Sequence, residues 1–350
     1  MERYIGLDVH SRSCTAGIID GRGKHVSSSV LETNGEVLVE FFKLQAGNVH
    51  LCLEEGTQST WLTEILSPHV AELVVTIPSK KRDKNDIRDA FGLAEQLRRG
   101  AIDVSIYKNE GPFKQLRLLV KTHAVIVTDS RRVQSRIKAL YRSRGIPTPG
   151  KDVYVHSTRD GWLSRLPANS RSSAELLYSQ YDGLLSLRKE AKREVVSESH
   201  RFPISRKLET CPGLGEIRVA QLLATVVTPH RFRGRRQFWS YCGFGVVMRS
   251  TSDWEQMPNG RWEKVQRPMT RGLNHNFNRM LKNVYKGAAS TVIQQGGQEP
   301  LYLEYLRQLE GGTNPNLAKL TLARKIAAIS LSMWKNEEEY DPNKRLTTSS

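Results

Sequence analysis

Short apolar runs separated by turn residues dominate the first hundred positions of the chain. Five of these runs have the length of β-strands, at 3–9, 15–19, 25–31, 49–54 and 72–77. Three other intervals carry apolar residues at helical spacing, at 35–44, 58–66 and 84–99. Three hairpin-type strands followed by strand–helix units predict a mixed α/β sheet for this part of the chain.

The remainder of the chain is predominantly helical in pattern. Residues 114–143 and 173–200 each predict a long helix, and the two are expected to form either an antiparallel hairpin or a dimerising coiled coil. A further helix is predicted from Leu273 to Ala289. The predicted division is an α/β domain, a helical region, a mainly α domain and a polar tail, at 1–110, 111–200, 201–335 and 336–350.

A glycine-rich turn joins two helical patterns in the second half of the chain. The segment Pro212-Gly213-Leu214-Gly215 follows an apolar helix end and precedes a new helix. This arrangement resembles a helix-hairpin-helix, in which backbone N–H groups at the start of the second helix bind a phosphate without reading sequence. Gly213 and Gly215 are therefore predicted nucleic-acid contacts, and an ordinary helix–helix turn is the alternative interpretation.

Positive charge is concentrated in the larger, second part of the chain. The whole sequence has a net charge of +17, but residues 1–110 hold 13 Lys and Arg against 16 Asp and Glu, and residues 111–350 hold 40 against 20. Such an excess favours a polyanionic partner, most often nucleic acid, although solubility alone is the alternative. The predicted nucleic-acid contacts among polar side chains are Arg117, Lys121, Arg131, Arg132, Arg136, Arg231, Arg233, Arg235, Arg236, Arg249, Arg271 and Asn274.

The sequence argues against a membrane span, a secreted disulfide framework and a zinc site. No apolar run has the length to cross a bilayer, and the N-terminus lacks the apolar core of a signal peptide. The four cysteines are scattered in apolar contexts without metal-like spacing, at Cys14, Cys52, Cys211 and Cys242. We expect reduced thiols and a cytoplasmic protein.

Four carboxylates are the strongest candidates for chemistry. Asp8 and Glu54 fall at the ends of predicted strands, and Asp86 and Asp89 are three residues apart at the start of a predicted helix. Acids at strand ends and an acid pair on one helix face can converge, and converging carboxylates are what Mg²⁺ requires. Paired Mg²⁺ ions commonly cut or transfer phosphodiesters. The alternative is that these acids are turn residues and a solvated helix face.

Several motifs occur in the order found in one known family. They are Gly6-Leu7-Asp8-Val9, Leu53-Glu54, the segment 84–90, Pro212-Gly213-Leu214-Gly215, Tyr241-Cys242-Gly243-Phe244, the segment 270–274 and the segment 322–327. Together they span nearly the whole chain. The chain resembles the DEDD transposases of the insertion sequence one-ten family.

The resemblance implies a fold, a chemistry and partners. It implies a ribonuclease-H-like, RuvC-type N-terminal domain whose acids Asp8, Glu54, Asp86 and Asp89 hold Mg²⁺. It implies that a serine of the C-terminal domain attacks the DNA backbone and forms a covalent phosphoserine. The implied partners are a structured guide RNA (bridge or seek RNA), donor and target DNA, and further copies of the chain in a tetramer built as a dimer of dimers. The implied location is the nucleoid of a bacterial or archaeal cytoplasm.

Two residue assignments and two other functions stay open at this point. Glu55 follows Glu54 directly, so either could be the third acid. Ser250 is favoured as the nucleophile over Ser252, while strict spacing falls on Thr251. The alternative functions are a Holliday-junction type endonuclease that uses water as nucleophile, and a non-catalytic nucleic-acid-binding protein.

Overall fold

The chain divides into two compact units. The structure, a computed structural model, describes residues 1–78, 85–102, 111–249, 254–258, 260–264, 270–273 and 275–344. The N-terminal unit is Met1–Asn109, and the C-terminal unit is Glu110–Ser350. Among the helices of the described residues, none combines the length and the apolarity that a membrane crossing needs.

The N-terminal unit is built on one five-stranded mixed sheet. Its strands are β1 (Glu2–Val9), β2 (Ser13–Asp20), β3 (His25–Glu32), β4 (Asn48–Glu54) and β5 (Glu72–Thr76), and its helices are α1 (Gly35–Lys43), α2 (Ser59–Leu66) and α3 (Asp86–Arg98). The strand order is β3-β2-β1-β4-β5. The first three strands pair antiparallel, whereas β4 runs parallel to β1 and to β5. The predicted mixed α/β sheet is confirmed, and its order is consistent with a RuvC-like domain.

Alternation along the strands gives the sheet two different faces. On one face Ile5 and Leu7 of β1 are buried with apolar residues of α1 and α2. On the other face Cys52 of β4 is buried against Leu93 and Leu97 of α3. Side chains on this second face of the central strands therefore lie beside α3.

The helix α3 contacts the sheet where two glycines lie opposite each other. Gly6 of β1 pairs with Gly17 of β2. A Cβ atom on Gly6 would lie 2.0 Å from the carbonyl oxygen of Ala90, and a Cβ atom on Gly17 would lie 2.8 Å from the backbone nitrogen of Phe91. Both separations are well inside van der Waals contact. Only glycine at these two positions lets the backbone of α3 come this close to the strands.

The C-terminal unit is mainly helical. Its helices are α4 (Lys114–Arg142), α5 (Arg159–Leu163), α6 (Ala168–His200), α7 (Pro203–Glu209), α8 (Glu216–Val226), α9 (Arg235–Tyr241), α10 (Arg279–Gln295), α11 (Pro300–Glu310) and α12 (Pro315–Asn336). Two short antiparallel strand pairs lie between α9 and α10, namely β6 (Val246–Arg249) with β9 (Thr270–Leu273) and β7 (Trp254–Gln256) with β8 (Trp262–Lys264). The largest core joins α8, α10 and α12, where the buried hydroxyl of Tyr285 lies 2.8 Å from the hydroxyl of Ser330.

The two long helices α4 and α6 form an antiparallel hairpin within one chain. The end of α4 packs on the beginning of α6, where the hydroxyls of Tyr141 and Tyr178 are 3.0 Å apart. The beginning of α4 shares a core with the end of α6 through Val120 and Val195. Of the two arrangements predicted for this pair, the structure shows the hairpin. The helix α6 begins at Ala168, five residues before its predicted start at 173.

The helix predicted from Leu273 to Ala289 begins six residues later than expected, at Arg279. Residues 270–273 form β9 instead, and Leu273 pairs with Val246 of β6. The side chain of Asn278 accepts a hydrogen bond from the backbone N–H of Leu281 and so caps the helix. The prediction was wrong at this end because the pairing of β9 with a distant strand has no local sequence signal.

The contact between α3 and β1 gives a testable prediction about stability. Replacing Gly6 by alanine forces the strand or the helix to move, because the new Cβ would lie 2.0 Å from the carbonyl oxygen of Ala90. We expect Gly6→Ala to lower the free energy of unfolding by about 1–3 kcal/mol, the usual cost of overpacking a closed site. Urea denaturation followed by circular dichroism measures this change.

Gly56→Ala is the matched control. No atom lies within 4 Å of a Cβ built on Gly56, so the free energy of unfolding should change by less than about 0.5 kcal/mol. Equal losses of stability in the two variants would contradict the close approach of α3 to the sheet.

Candidate metal centre

The geometry of the sheet brings Asp8 and Glu54 to one edge. Leu7 of β1 is paired with Leu53 of the parallel strand β4, and each carboxylate follows directly in its strand. Neighbouring residues of a strand point to opposite faces, so Asp8 and Glu54 are on the face opposite to buried Leu7 and Leu53. That face is the one that α3 covers. The carboxyl ends of two parallel strands therefore deliver two acids toward α3.

The N-terminus of α3 supplies the second pair of acids. The side chain of Asn85 accepts a hydrogen bond from the backbone N–H of Arg88 at 3.1 Å and starts the helix there. Asp86 and Asp89 then fall in its first turn. Negative charge is favoured at this end of a helix, because the free N–H groups and the positive end of the helix dipole are located there.

One histidine that the sequence reasoning missed lies among these acids. The Nε2 atom of His10 is 3.4 Å from Oδ2 of Asp8 and 3.4 Å from Oδ1 of Asp86. Two hydrogen bonds fix its backbone: His10 N donates to the carbonyl oxygen of Ser13, and Thr33 Oγ1 donates to the carbonyl oxygen of His10, both at 2.9 Å. The sequence signal that could have identified His10 is its position two residues after Asp8. In an extended chain, residues two apart point to the same side.

Three of the carboxylates act electrostatically on the fourth, Asp8. The pKa of Asp8 is raised, first by its burial and then by the negative charges of Asp86, Asp89 and Glu54, while His10 opposes the shift. The charge of Glu54 also contributes to raising the pKa of its neighbour on the same face, the buried thiol of Cys52, to about 12, although burial is the larger cause. The acids predicted from sequence thus share one electrostatic environment.

The position of Glu55 bears on the choice between Glu54 and Glu55. A carboxylate oxygen of Glu55 accepts a hydrogen bond from Ser59 Oγ at 3.0 Å, at the start of α2. Its backbone N–H donates to the carbonyl oxygen of Thr76 on β5. Glu54, in contrast, acts on Asp8. The strand alternation therefore favours Glu54 as the acid that belongs with Asp8.

The arrangement fits a divalent metal ion. Asp8, His10 and Asp86 offer ligand atoms that all lie within 4.8 Å of one another. Carboxylate oxygens are the ligands preferred by Mg²⁺, Ca²⁺ and Mn²⁺, and an imidazole nitrogen extends the set toward transition metals. A cation placed among these groups would also favour the ionised form of Asp8, whose pKa is raised first by burial and then by the neighbouring negative charges. The ligand chemistry and the charge both suit such an ion.

The predicted nucleic-acid contacts on α4 divide into two kinds. Four of the cations are exposed along the helix, namely Lys121, Arg131, Arg132 and Arg136. Arg117 is used within the fold, since its Nε donates to the carbonyl oxygen of Ala224 at 3.0 Å. Arg132 also pairs with Asp129 on the same helix at 3.0 Å.

The second group of cations precedes and opens α9. Arg231 and Arg235 lie over aromatic rings, 5.0 Å from the centroid of Tyr241 and 5.7 Å from that of Trp239. Two others are exposed, namely Arg233 and Arg236. This block therefore combines cations that pack on aromatic rings with cations that face solvent.

The predicted nucleophile falls outside the part of the chain that the structure describes. The same holds for Ser252, Thr251 and Asn274, as for Ser250 itself. The strand β6, which ends just before Ser250, pairs antiparallel with β9. In this pair Arg249 is opposite Thr270, and Met248 is opposite Arg271. Arg249 and Arg271 thus lie on paired strands, and residues 250–252 follow directly after β6 in the sequence.

Gly213 and Gly215 lie in the connection between α7 and α8. Gly213 has a φ angle of +80°, and a Cβ atom there would lie 2.4 Å from the carbonyl oxygen of Ala288 on α10. Its carbonyl oxygen accepts a hydrogen bond from Arg218 Nη1 at 2.7 Å. The close backbone approach at Gly213 is thus to α10. Gly215 directly precedes α8, and no atom lies within 4 Å of its Cβ position, so its surface is open.

The raised pKa of Asp8 gives a prediction with a definite sign. A carboxyl whose pKa rises on folding contributes stability below its unfolded pKa, and that contribution is lost as the pH rises through the folded pKa. At neutral pH without divalent metal, Asp8→Asn should therefore raise the melting temperature. The gain should shrink toward acid pH, where Asp8 is protonated in both states. Added Mg²⁺ should raise the melting temperature of the wild type by mass action, but not that of the variant.

Asp20→Asn is the control of opposite sign. The pKa of Asp20 is lowered by hydrogen bonds from the backbone N–H groups of Lys24 and Arg22, each at 2.9 Å. This variant should lose stability at neutral pH and keep the response to Mg²⁺. A lower melting temperature of Asp8→Asn in metal-free buffer at neutral pH would contradict the repulsive acid cluster.

Two family models match the chain in order. The model DEDD_Tnp_IS110, described as Transposase, matches residues 5–143, and the model of the Transposase IS116/IS110/IS902 family matches residues 205–290. No curated protein matches the chain. The first match contains all four acids, and the second contains the cationic block before α9 and the strands on either side of the serine segment. The chain belongs to the IS110 family of transposases and is an enzyme, a transposase or recombinase whose substrate class is DNA.

Proposed function

We propose that this transposase is an RNA-guided DNA recombinase that cuts and rejoins DNA through a covalent phosphoserine, with Mg²⁺ held by Asp8, Glu54, Asp86 and Asp89. One observation carries the proposal. Asp8, His10 and Asp86 converge within 4.8 Å in a chain that belongs to the IS110 family. Burial and the negative charges of Asp86, Asp89 and Glu54 raise the pKa of Asp8, and this unfavourable environment for an ionised carboxylate supports a role in holding a cation.

The acids hold the metal, and the metal supplies charge stabilisation. When bound, Mg²⁺ would stabilise the negative charge that develops on the attacked phosphate and would orient its oxygens. Asp8, Glu54, Asp86 and Asp89 are the proposed ligands, and oxygens of Asp8 and Asp86 already lie with His10 in one cluster. The charges of Glu54 and Asp89 also act on Asp8, where they contribute, after burial, to raising its pKa.

Ser250 is the proposed nucleophile. Its Oγ forms a bond to phosphorus while the bond between phosphorus and the oxygen of the leaving strand breaks. The serine proton passes to a base, and the leaving oxygen takes up a proton. One phosphate ester replaces another, so the strand can later be resealed without ATP, which agrees with the absence of a P-loop sequence from the chain.

The C-terminal unit is the proposed nucleic-acid-binding part. Its exposed cations on α4 and before α9 would bind phosphates, and the open Gly215 at the start of α8 would serve the helix-hairpin-helix role predicted for this turn. We propose the functional division 1–110, 111–200, 201–335 and 336–350 on the same basis.

The proposed partners follow from membership of the family. They are a bridge or seek RNA that pairs with donor and target DNA, and three further copies of the chain in a tetramer. The proposed place of action is the nucleoid, in the cytoplasm of a bacterium or archaeon.

The metal site predicts the effect of removing each acid. Asp8→Asn, Glu54→Gln, Asp86→Asn and Asp89→Asn should each lower the rate of DNA strand cleavage by at least about 100-fold, because a catalytic metal contributes several kcal/mol to the transition state. The folded state, checked by circular dichroism, should persist. Single-turnover cleavage of a labelled DNA substrate with guide RNA and Mg²⁺ measures the rate.

Glu55→Gln is the matched control for the acid variants. It removes an adjacent carboxylate that accepts a hydrogen bond from Ser59, so cleavage should stay within a few-fold of the wild type. Cleavage near the wild-type rate by the four acid variants would overturn the metal site. A large loss only in the Glu55 variant would move the third acid by one residue.

The covalent step predicts a protein–DNA adduct. A suicide substrate that traps the reaction should yield, after digestion and mass spectrometry, a nucleotide linked to the peptide that contains Ser250. Ser250→Ala should abolish the adduct and keep RNA and DNA binding, because one hydroxyl adds little to the affinity. Ser252→Ala is the control and should retain the adduct. Strand cleavage with no adduct on Ser250, Thr251 or Ser252 would favour the endonuclease that uses water.

A further inference from the structure

Two tryptophans on a small strand pair are exposed to solvent. Trp254 of β7 and Trp262 of β8 have 59% and 60% of their surface accessible. Tryptophan is seldom exposed to this degree, and Trp162 and Trp334 elsewhere in the unit are 7% exposed. The exposure of two indoles in one short strand pair therefore calls for a physical explanation.

The strand register puts both indoles on one face. Gln256 pairs with Trp262, and Trp254 lies two residues before Gln256 in the same strand. Residues paired across strands share a face, and so do residues two apart along a strand. Trp254 and Trp262 are thus diagonal neighbours with Gln256 beside them, a set that we call the indole face. Among the described residues, neither ring stacks on another aromatic ring.

A two-stranded ribbon cannot bury this face by itself. Such a ribbon has no core of its own, and two strands alone are marginally stable in water. Removing an aromatic side chain from water is favourable in free energy. A partner that covers the indole face therefore gains affinity. The question is which partner the surroundings favour.

The charge of the unit and the shape of the rings favour an unpaired nucleic-acid strand. Residues 111–350 carry 40 Lys and Arg against 20 Asp and Glu, which attracts a phosphate backbone. The exposed Arg261 lies in the turn between the two strands, next to Trp262. Flat indoles beside cations are what single-strand binding proteins use, because every base has a face that can stack on them.

The place of the ribbon in the chain connects it with the reaction. Trp254 follows Ser250 by four residues, a stretch that spans at most about 14 Å. A base stacked on Trp254 would therefore belong to a nucleotide close to the phosphate that Ser250 attacks, a step of the argument that rests on the proposed function.

We propose that the indole face of Trp254 and Trp262 is a stacking platform for unpaired bases of the DNA strand beside the cleaved phosphate. Base pairs next to that phosphate must separate before strands can be exchanged, and stacking would hold the freed bases. The platform reads no sequence, which suits an enzyme whose target choice is proposed to come from a guide RNA.

Binding of the full-length protein to two single-stranded probes tests the proposal. One probe is a labelled 15-nucleotide oligo(dT), and the other is an abasic oligonucleotide of the same length and charge, each titrated by fluorescence anisotropy in metal-free buffer. The wild type should bind oligo(dT) more tightly than the abasic strand. The double variant Trp254→Leu/Trp262→Leu, which keeps apolar side chains suited to a strand, should lose roughly tenfold or more in affinity for oligo(dT). Its affinity for the abasic strand should not change.

Two further variants separate stacking from folding and from charge. Trp254→Phe/Trp262→Phe keeps flat rings and should retain most of the preference for oligo(dT). Arg233→Gln should weaken binding to both probes equally, since a phosphate contact is blind to the base. A leucine double variant that binds both probes like the wild type would overturn the proposal, as would equal losses on both probes.

The alternative partner for the indole face is a second copy of this chain. Sedimentation velocity of the leucine double variant measures this directly. A change in the association state without a change in oligo(dT) affinity would assign the face to self-association and overturn the stacking platform. The binding assay involves neither metal nor cleavage, so its failure leaves the acid site and Ser250 to be judged by their own experiments.

Discussion

The close contact between α3 and the glycine pair of the sheet is the constraint on which the candidate site depends. Gly6 and Gly17 lie side by side on β1 and β2, and the backbone of α3 rests directly on them. Asp8 is two residues beyond Gly6 on the same face of β1, and Asp86 opens the same helix. The separation between the strand acid and the helix acids is therefore set by a backbone contact, which deforms far less than a contact between flexible side chains.

This contact brings like charges together: after the larger effect of its burial, the negative charges of Asp86, Asp89 and Glu54 each contribute to raising the pKa of Asp8. His10 touches both Asp8 and Asp86, yet the pKa of Asp8 is still raised. The helix N-terminus favours Asp86 and Asp89 individually, but it does not remove their repulsion with Asp8. We expect such a cluster to lower the stability of the metal-free protein and to be stabilised by a bound cation, which is the balance expected of a metal site.

Much of this arrangement was accessible from sequence, and the failures have particular causes. Asp8, Glu54, Asp86 and Asp89 could be predicted as candidates because strand ends and a helix start have local sequence signals. The role of Gly6 was not found, because a glycine within a strand does not show which element will press against it. His10 was missed although its two-residue spacing from Asp8 was visible. The start of α10 was misplaced because β9 exists only through its pairing with β6.

The choice between Glu54 and Glu55 shows why structure adds to sequence even at a strong motif. Sequence gives two adjacent acids, and only the alternation of β4 assigns one to the α3 face and leaves the other beside α2. In the C-terminal unit the structure likewise distinguishes cations that look alike in sequence. Arg117 donates a hydrogen bond to the carbonyl oxygen of Ala224, whereas other cations of α4 are exposed.

The central claim is that the approach of α3 to the sheet builds a metal site from Asp8 and Asp86. Anomalous diffraction from crystals of the protein soaked in Mn²⁺ tests it most directly. The account predicts an anomalous peak between these two carboxylates, at about 2.0–2.6 Å from an oxygen of each, the range of divalent cations bound by oxygen ligands. Ordered carboxylates with no peak between them at saturating Mn²⁺ would contradict it.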